Sequence, residues 1–169
     1  MINKKIEEAL NRQMVAETYS GYIYLAMAAD FDAQNMKGFG RWMKSQALEE
    51  LFHAMKFYDF INDRGGRAVC GAVDAPPAKW KTPLDAFKAA YDHEVKVTGM
   101  INDLVDLARS QNDKATENFL QWYVNEQVEE EAQTDEIVKN LEKIKDHPAA
   151  LFMYDARLGE RTAQWGGGD

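Results

Sequence analysis

The sequence is poor in the residues that cross-link chains, break helices or enter membranes. Cys70 is its one cysteine. A single thiol excludes an internal disulfide and a cysteine-rich metal module, and it fits a reducing compartment. There are four prolines, two of them in the pair Pro76-Pro77, so long stretches are free of helix breakers. No apolar run approaches the ~20 residues that span a bilayer. The segment Met1 to Glu8 lacks the apolar core of a secretory signal. Positive charge is also short: 20 Lys and Arg stand against 28 Asp and Glu, for a formal net charge of −8. That balance disfavours a nucleic-acid backbone as partner and suits the handling of cations. The expectation is a cytoplasmic protein that has neither nucleic acid nor a membrane as partner. With 169 residues, 46% of them apolar, the chain can fill one core but not two. A single domain over residues 1–169 is expected.

What the sequence does contain is helix, nearly throughout. The spacing predicts helices over about Lys5 to Ala33, Lys37 to Arg64, Pro83 to Ser110 and Asp113 to Lys145. Gly65-Gly66 stops the second. Thr82-Pro83-Leu84-Asp85 opens the third, with Thr82 as N-cap, Pro83 in the first turn and Asp85 as the capping-box acid. The bundle thus covers about 5–145. A short fifth helix follows Asp146-His147-Pro148 over about 147–159, and a disordered tail is expected over about 160–169.

Each long helix carries an inward row at alternating spacings of four and three, the 3.5-residue repeat of a bundle seam. The rows are Leu10, Met14, Glu17, Gly21, Tyr24, Ala28, Phe31; then Phe39, Met43, Gln46, Glu50, His53, Phe57, Phe60. The third is Leu84, Phe87, Tyr91, Glu94, Thr98, Ile101, Val105, Ala108, and the fourth Leu120, Tyr123, Gln127, Glu130, Thr134, Ile137, Leu141, Ile144. An offset of 77 positions carries Leu10, Met14, Glu17 and Tyr24 onto Phe87, Tyr91, Glu94 and Ile101, and Glu50 and His53 onto Gln127 and Glu130. The turns match as well, Gln34-Asn35-Met36-Lys37 against Gln111-Asn112-Asp113-Lys114. Two helix hairpins related by an internal pseudo-repeat are therefore predicted. Short turns make each hairpin antiparallel. The link from Gly66 to Thr82, about 15 residues, can extend about 50 Å, longer than a helix of about 28 residues at about 42 Å. It can run the length of the bundle, so that the second and third helices are parallel. The fold class is all-α, a four-helix bundle with a long crossover between helices 2 and 3.

The seam is interrupted by Glu17, Glu50, His53, Glu94 and Glu130, with Gln127 beside them. Buried carboxylates placed together cost several kcal/mol each and repel one another. No Lys or Arg sits on the seam at these levels, so a bound multivalent cation is the economical compensation. Counting outward from the two turns puts Glu17 opposite Glu50, and Glu94 opposite Gln127. Glu50-Leu51-Phe52-His53 is Glu-x-x-His, which presents both ligands on one helix face. Taken alone, that motif, the run Glu129-Glu130-Glu131, and Glu49 and Glu126 are ordinary solvated positions, and Tyr24 and Trp122 are packing residues. Acids on four seams at one level point instead to a metal. Oxygen donors with one imidazole suit iron or manganese better than a thiolate metal.

This constellation resembles the ferritin-like di-iron carboxylate superfamily over about residues 5 to 160. Within it, the chain is similar to bacterial and archaeal non-haem ferritins. The segments Ala9 to Gln13, Glu49 to Ala54 and Phe119 to Glu131 carry the likeness. Gln127-Val128-Glu129-Glu130 stands where haem-binding and oxygenase relatives keep a second Glu-x-x-His. Leu51 stands where bacterioferritins place their haem-ligating Met, so no haem is expected. One cysteine cannot supply a rubredoxin module.

The resemblance implies a ferroxidase that oxidises Fe(II) with O2 at a di-iron centre and stores ferric mineral in a cage of 24 subunits. It assigns Glu17, Glu50 and His53 to the first iron, with Glu50 bridging to a second that Glu94 and Glu130 complete. Gln127 would hydrogen-bond nearby. Glu49, Glu126, Glu129 and Glu130 match a third iron site, and Tyr24 matches a tyrosine beside the centre. It also favours a fifth helix buried at a symmetry axis of the cage, where a lone chain would pack it on its own bundle. Two other readings stand beside this one. One is a di-iron oxidoreductase acting on an organic substrate or peroxide, which would want a second His and an apolar pocket. The other is a purely structural bundle whose seam acids are solvated by water.

Overall fold

The computed structural model describes residues 2–161. Its elements are α1 (Lys4–Ala33), α2 (Lys37–Asp63), α3 (Pro83–Ser110), α4 (Lys114–Ile144) and α5 (Pro148–Leu158), each bound within a residue or two of the sequence expectation. The ends follow from local chemistry. Asn3, Thr82 and Asp113 accept from backbone N–H groups of the first turns they precede, those of Lys5, Asp85 and Thr116. Three helices stop in the same way. Asn35, Gly65 and Asn112 adopt positive φ of 60°, 71° and 54°. The residue after each donates its N–H back five positions: Met36 to Phe31 O, Gly66 to Ile61 O and Asp113 to Ala108 O, at 2.9 to 3.0 Å. These are Schellman stops, which asparagine and glycine tolerate because they accept the left-handed backbone. The matching asparagine turns bear out the pseudo-repeat.

α1 packs on α2 and α3 on α4, and the two hairpins meet chiefly through α1 and α3. The long link runs as a crossover along α1. Near its start Asn11 donates to Arg67 O and accepts from Val69 N; near its end Trp80 N donates to Asp30 Oδ2. It therefore passes from one end of α1 to the other, which makes α2 and α3 parallel. No described helix is long and apolar enough to cross a membrane.

The core is split. One apolar cluster gathers Leu10, Met14, Phe57, Ile61, Ile101, Val105, Leu120 and Tyr123 at one end of the bundle. A second gathers Tyr24, Met27, Phe31, Phe39, Met43, Phe87, Ile137 and Leu141 at the other. Every long helix contributes to both, and between them each buries polar residues: Gln13, Glu17 and Ser20; Gln46, Glu50 and His53; Glu94; Gln127, Glu130 and Thr134.

α5 docks across the N-terminus of α2. That terminus has no side-chain cap of its own, and the Asp155 carboxylate accepts from Phe39 N at 2.7 Å. Gly38 is required there, because a Cβ would lie 1.6 Å from Asp155 O. Leu151, Tyr154 and Leu158 pack on the second cluster, while Phe152 and Met153 stay 76% and 72% exposed. Of the tail expected at about 160–169, Glu160 and Arg161 are described, and Arg161 makes specific contacts with α2; residues 162–169 lie outside the described residues.

Candidate metal centre

The polar layer brings the seam carboxylates together. Glu17, Glu50, His53, Glu94 and Glu130 are each at most 2% exposed. Among the described residues they form two inner groups, Glu17–Glu50–His53 and Glu50–Glu94–Glu130. Within each group one ligand atom per residue lies within 4.8 Å of the others. Glu50 belongs to both. The two groups draw on all four helices, as the seam register predicted. Gln127 sits among them as a donor, its Nε2 at 3.2 Å from Glu94 O and 3.3 Å from Glu94 Oε2. Tyr24 donates its hydroxyl to Glu94 Oε1.

A third group, His53–Glu126–Glu130, meets the same distance condition and opens on a cavity of about 370 Å³. Its membership differs from the sequence expectation. Glu49 and Glu129 line the cavity but join no group. Glu129 is exposed on its helix. Glu49 is held by Arg161, whose Nη2 donates to Glu49 Oε2 at 2.6 Å.

Sequence reasoning passed over four side chains in and around the centre. Gln13 donates to Glu17 Oε1 at 2.8 Å. Gln46 donates to Glu50 Oε1 at 3.1 Å and to Glu130 Oε2 at 2.7 Å, tying the two hairpins together at the layer. Each lies four residues before a seam glutamate, a spacing that puts it on the same face and could have marked it. Tyr123 donates its hydroxyl to the carbonyl of His53 at 2.7 Å. Arg161 Nη1 donates to Gln46 Oε1 at 2.9 Å, and its guanidinium lies over Trp42. Nothing in the seam periodicity could have found it, since it lies beyond the last helix.

The electrostatics are those of a site built for cations. Burial, then the charge of Glu50, pushes Glu17 up from 4.5 to about 8. Burial and Glu50 push Glu130 to about 8 as well, and Glu94 rises well above its ordinary range for the same reasons. Burial works to raise Glu50 too, but the adjacent imidazole outweighs it and holds this carboxyl below the ordinary value. Burial works to lower His53, yet Glu50, with its carboxylate 3.3 Å away, drives it up to about 10. Without a metal the layer therefore keeps protons on the groups that a metal would use. Among the described residues one buried side-chain polar atom is left over: Glu17 Oε2 has no hydrogen-bond partner there. Carboxylates, one imidazole and an orphaned carboxylate oxygen fit a pair of hard or borderline cations.

Comparison with known proteins gives the same picture. The family model of the ferritin-like domain matches residues 7–144. A bacterial non-haem ferritin of Bacteroides fragilis (strain 638R) is 41% identical over 161 residues, which are 95% of this chain and 100% of that protein. One from Staphylococcus aureus (strain MRSA252) is 41% identical over 162 residues, 96% and 98% of the two chains. Among solved structures, an engineered closed form of the Archaeoglobus fulgidus ferritin matches with a TM-score of 0.96 and 51% identity over 97% of this chain and all (100%) of its own. The open-pore ferritin of the same organism matches at 0.95 and 51%, over 96% and 100%.

Proposed function

The chain belongs to the ferritin family, and on that premise we propose how its residues divide the work. Its function is iron storage with ferroxidase activity, at a di-iron carboxylate centre. Glu17, Glu50 and His53 take the first Fe(II). Glu50 extends to the second, which Glu94 and Glu130 complete, because Glu50 is the one residue common to both inner groups. That shared, buried carboxylate is the observation that carries the reading.

Iron is the substrate, and the protein's part is to bind it, to orient it and to hold protons until it arrives. Entry of Fe(II) displaces protons from Glu17, Glu130 and His53, whose raised affinities keep them protonated in the empty layer. Anionic oxygen ligands then stabilise Fe(III) more than Fe(II), since the interaction grows with charge, and this favours electron loss to O2. Two adjacent irons supply two electrons together. Gln127, neutral where an anion could stand, leaves the second position less tightly held and assists departure of the product. Tyr24 positions Glu94 through its hydroxyl. Glu126 and Glu130, with Glu49 and Glu129 at the rim, form an outer station for a third iron. Leu51 offers no thioether, so no haem is bound there.

The chain works as one domain in a cage of 24 copies in the cytoplasm. Phe152 and Met153 on α5, exposed on an isolated chain, supply apolar surface for contact between copies. The test is anaerobic Fe(II) binding to the purified full chain, followed by exposure to air with sizing. About two Fe(II) per chain should bind tightly, and oxidation should follow in a particle of cage size. A monomer that binds none and oxidises iron no faster than buffer would sink the reading.

A further inference from the structure

The cavity outside the inner carboxylates already receives a cation, and that cation belongs to the chain. Arg161 enters from beyond α5, on a segment tied to α2 by Arg41 Nη1 donating to Gly159 O at 2.9 Å. Three partners hold its guanidinium: Glu49 at 2.6 Å, Gln46 at 2.9 Å and the ring of Trp42, whose centroid is 4.6 Å away. Its side chain is only 18% exposed. A guanidinium keeps its charge at any physiological pH and cannot be neutralised in place. Two other cations lie near: Lys56 is occupied over Trp122 at 4.1 Å, and His53 is held from the inner side by Glu50 at 3.3 Å. Arg161 is therefore the permanent positive charge set against Glu49 at the outer side of this cavity.

We propose that Arg161 is a tethered plug: its guanidinium occupies the outer carboxylate cavity, and a metal ion binds there with Glu49 only after the guanidinium has left. The proposal rests on the outer station described above and adds its control. A site that is free only part of the time binds in proportion to that fraction, and a divalent ion beside a fixed positive charge is further repelled. The plug thus ranks the stations. The inner pair, none of whose ligands is hydrogen-bonded by Arg161, fills first, and the outer one fills when metal is abundant enough to displace the arginine. Gln46 lies between them, accepting from Arg161 while donating to Glu50 and Glu130.

The experiment is an anaerobic calorimetric titration of the assembled full chain with Zn(II), which takes no part in redox chemistry. Wild type, R161A and R161K are compared, with E49Q added to R161A. Two inner equivalents should bind alike in the first three proteins. The third should bind at least about tenfold more tightly in R161A than in wild type, and R161K should stay close to wild type. E49Q in the R161A background should weaken the third equivalent again. Equal third affinities in wild type and R161A would overturn the proposal. So would a weaker third site in R161A, which would make the arginine a builder of the site, or R161K behaving as R161A does. Failure of the two inner equivalents in every protein would remove the di-metal reading and the plug with it; it is told apart because inner and outer equivalents are counted separately.

Discussion

The two apolar clusters and the polar layer between them are made by the same helices, on the same seam, with the same repeat. They differ in what completes them. Leu10, Phe57, Leu120 and Tyr123 at one end, and Phe31, Phe39, Met43 and Phe87 at the other, are closed by each other. Phe57 stacks on Tyr123 with ring centroids 4.3 Å apart, and Phe39 meets Phe87 edge-on at 5.7 Å. The layer has no such self-sufficiency. Its carboxyls are buried as deeply as the aromatics, and the donors Gln13, Gln46, Gln127 and Tyr24 satisfy them only in part; the rest falls to protons or to an ion from outside. The ends hold the fold, and the middle is free to be rebuilt each time its occupant changes.

The largest loss is expected at Glu50. Replacing Glu50 by Ala removes the residue shared by both inner groups. Ferroxidase activity should fall by more than about 100-fold, beyond the about 10–100-fold typical of outer-shell partners, with helicity by circular dichroism retained. A variant that still oxidises iron at the wild-type rate would separate Glu50 from the centre. In the clusters the expected loss is of another kind. Phe87→Ala should cost about 3–5 kcal/mol in chemical denaturation, by the same amount with and without bound metal. A cost seen only in one of the two states would mean that clusters and layer are not independent.

The pH dependence sharpens the contrast. A carboxyl raised from 4.5 to about 8 on folding, as Glu17 and Glu130 are, holds its proton more tightly folded than unfolded. Its stabilisation is complete below about pH 4.5 and gone above about pH 8. His53, raised from 6.5 to about 10, loses its contribution over the window between those values. Glu50, held low, acts oppositely, but only toward acid. The metal-free protein should therefore melt at steadily lower temperature from about pH 5 to about pH 9. Saturating Zn(II) should abolish most of the slope. A flat profile for the metal-free protein would contradict the protonated layer. The smallest effect is expected at Gln127. Gln127→Glu should slow release of iron from the centre several-fold in a stopped-flow chase, and an unchanged rate would remove its role in turnover.

Much of this was legible in the sequence because the bundle is periodic. A seam position that should be Leu and is Glu declares itself, so Glu17, Glu50, His53, Glu94 and Glu130 could be picked out and placed near one level by counting from turns near Gln34 and Gln111. The crossover followed from chain length alone. What the pattern could not carry were contacts that obey no repeat. Arg161 lies beyond the last helix and reaches back over about 115 positions to Gln46. Asp155 caps a helix that begins with no cap of its own. The outer carboxylates show the same limit. Glu49, Glu126 and Glu129 are adjacent in pattern, but which of them is free depends on a guanidinium that arrives from elsewhere.

The hairpins are alike in shape but unequal in endowment. The first hairpin carries Glu17, Glu50 and His53, a complete three-ligand set. The second carries Glu94 and Glu130, which form no group without borrowing Glu50 or His53 from the first. During synthesis, every residue of a whole half-site is added before the first residue of the second hairpin. A gene cut within the crossover would yield one fragment with every ligand needed to hold an ion and another with none of its own to spare. Duplication of an ancestral hairpin, suggested by the shared turns, would then have been followed by specialisation. The first hairpin holds a three-ligand grip, and the second supplies the residues that make the grip a pair.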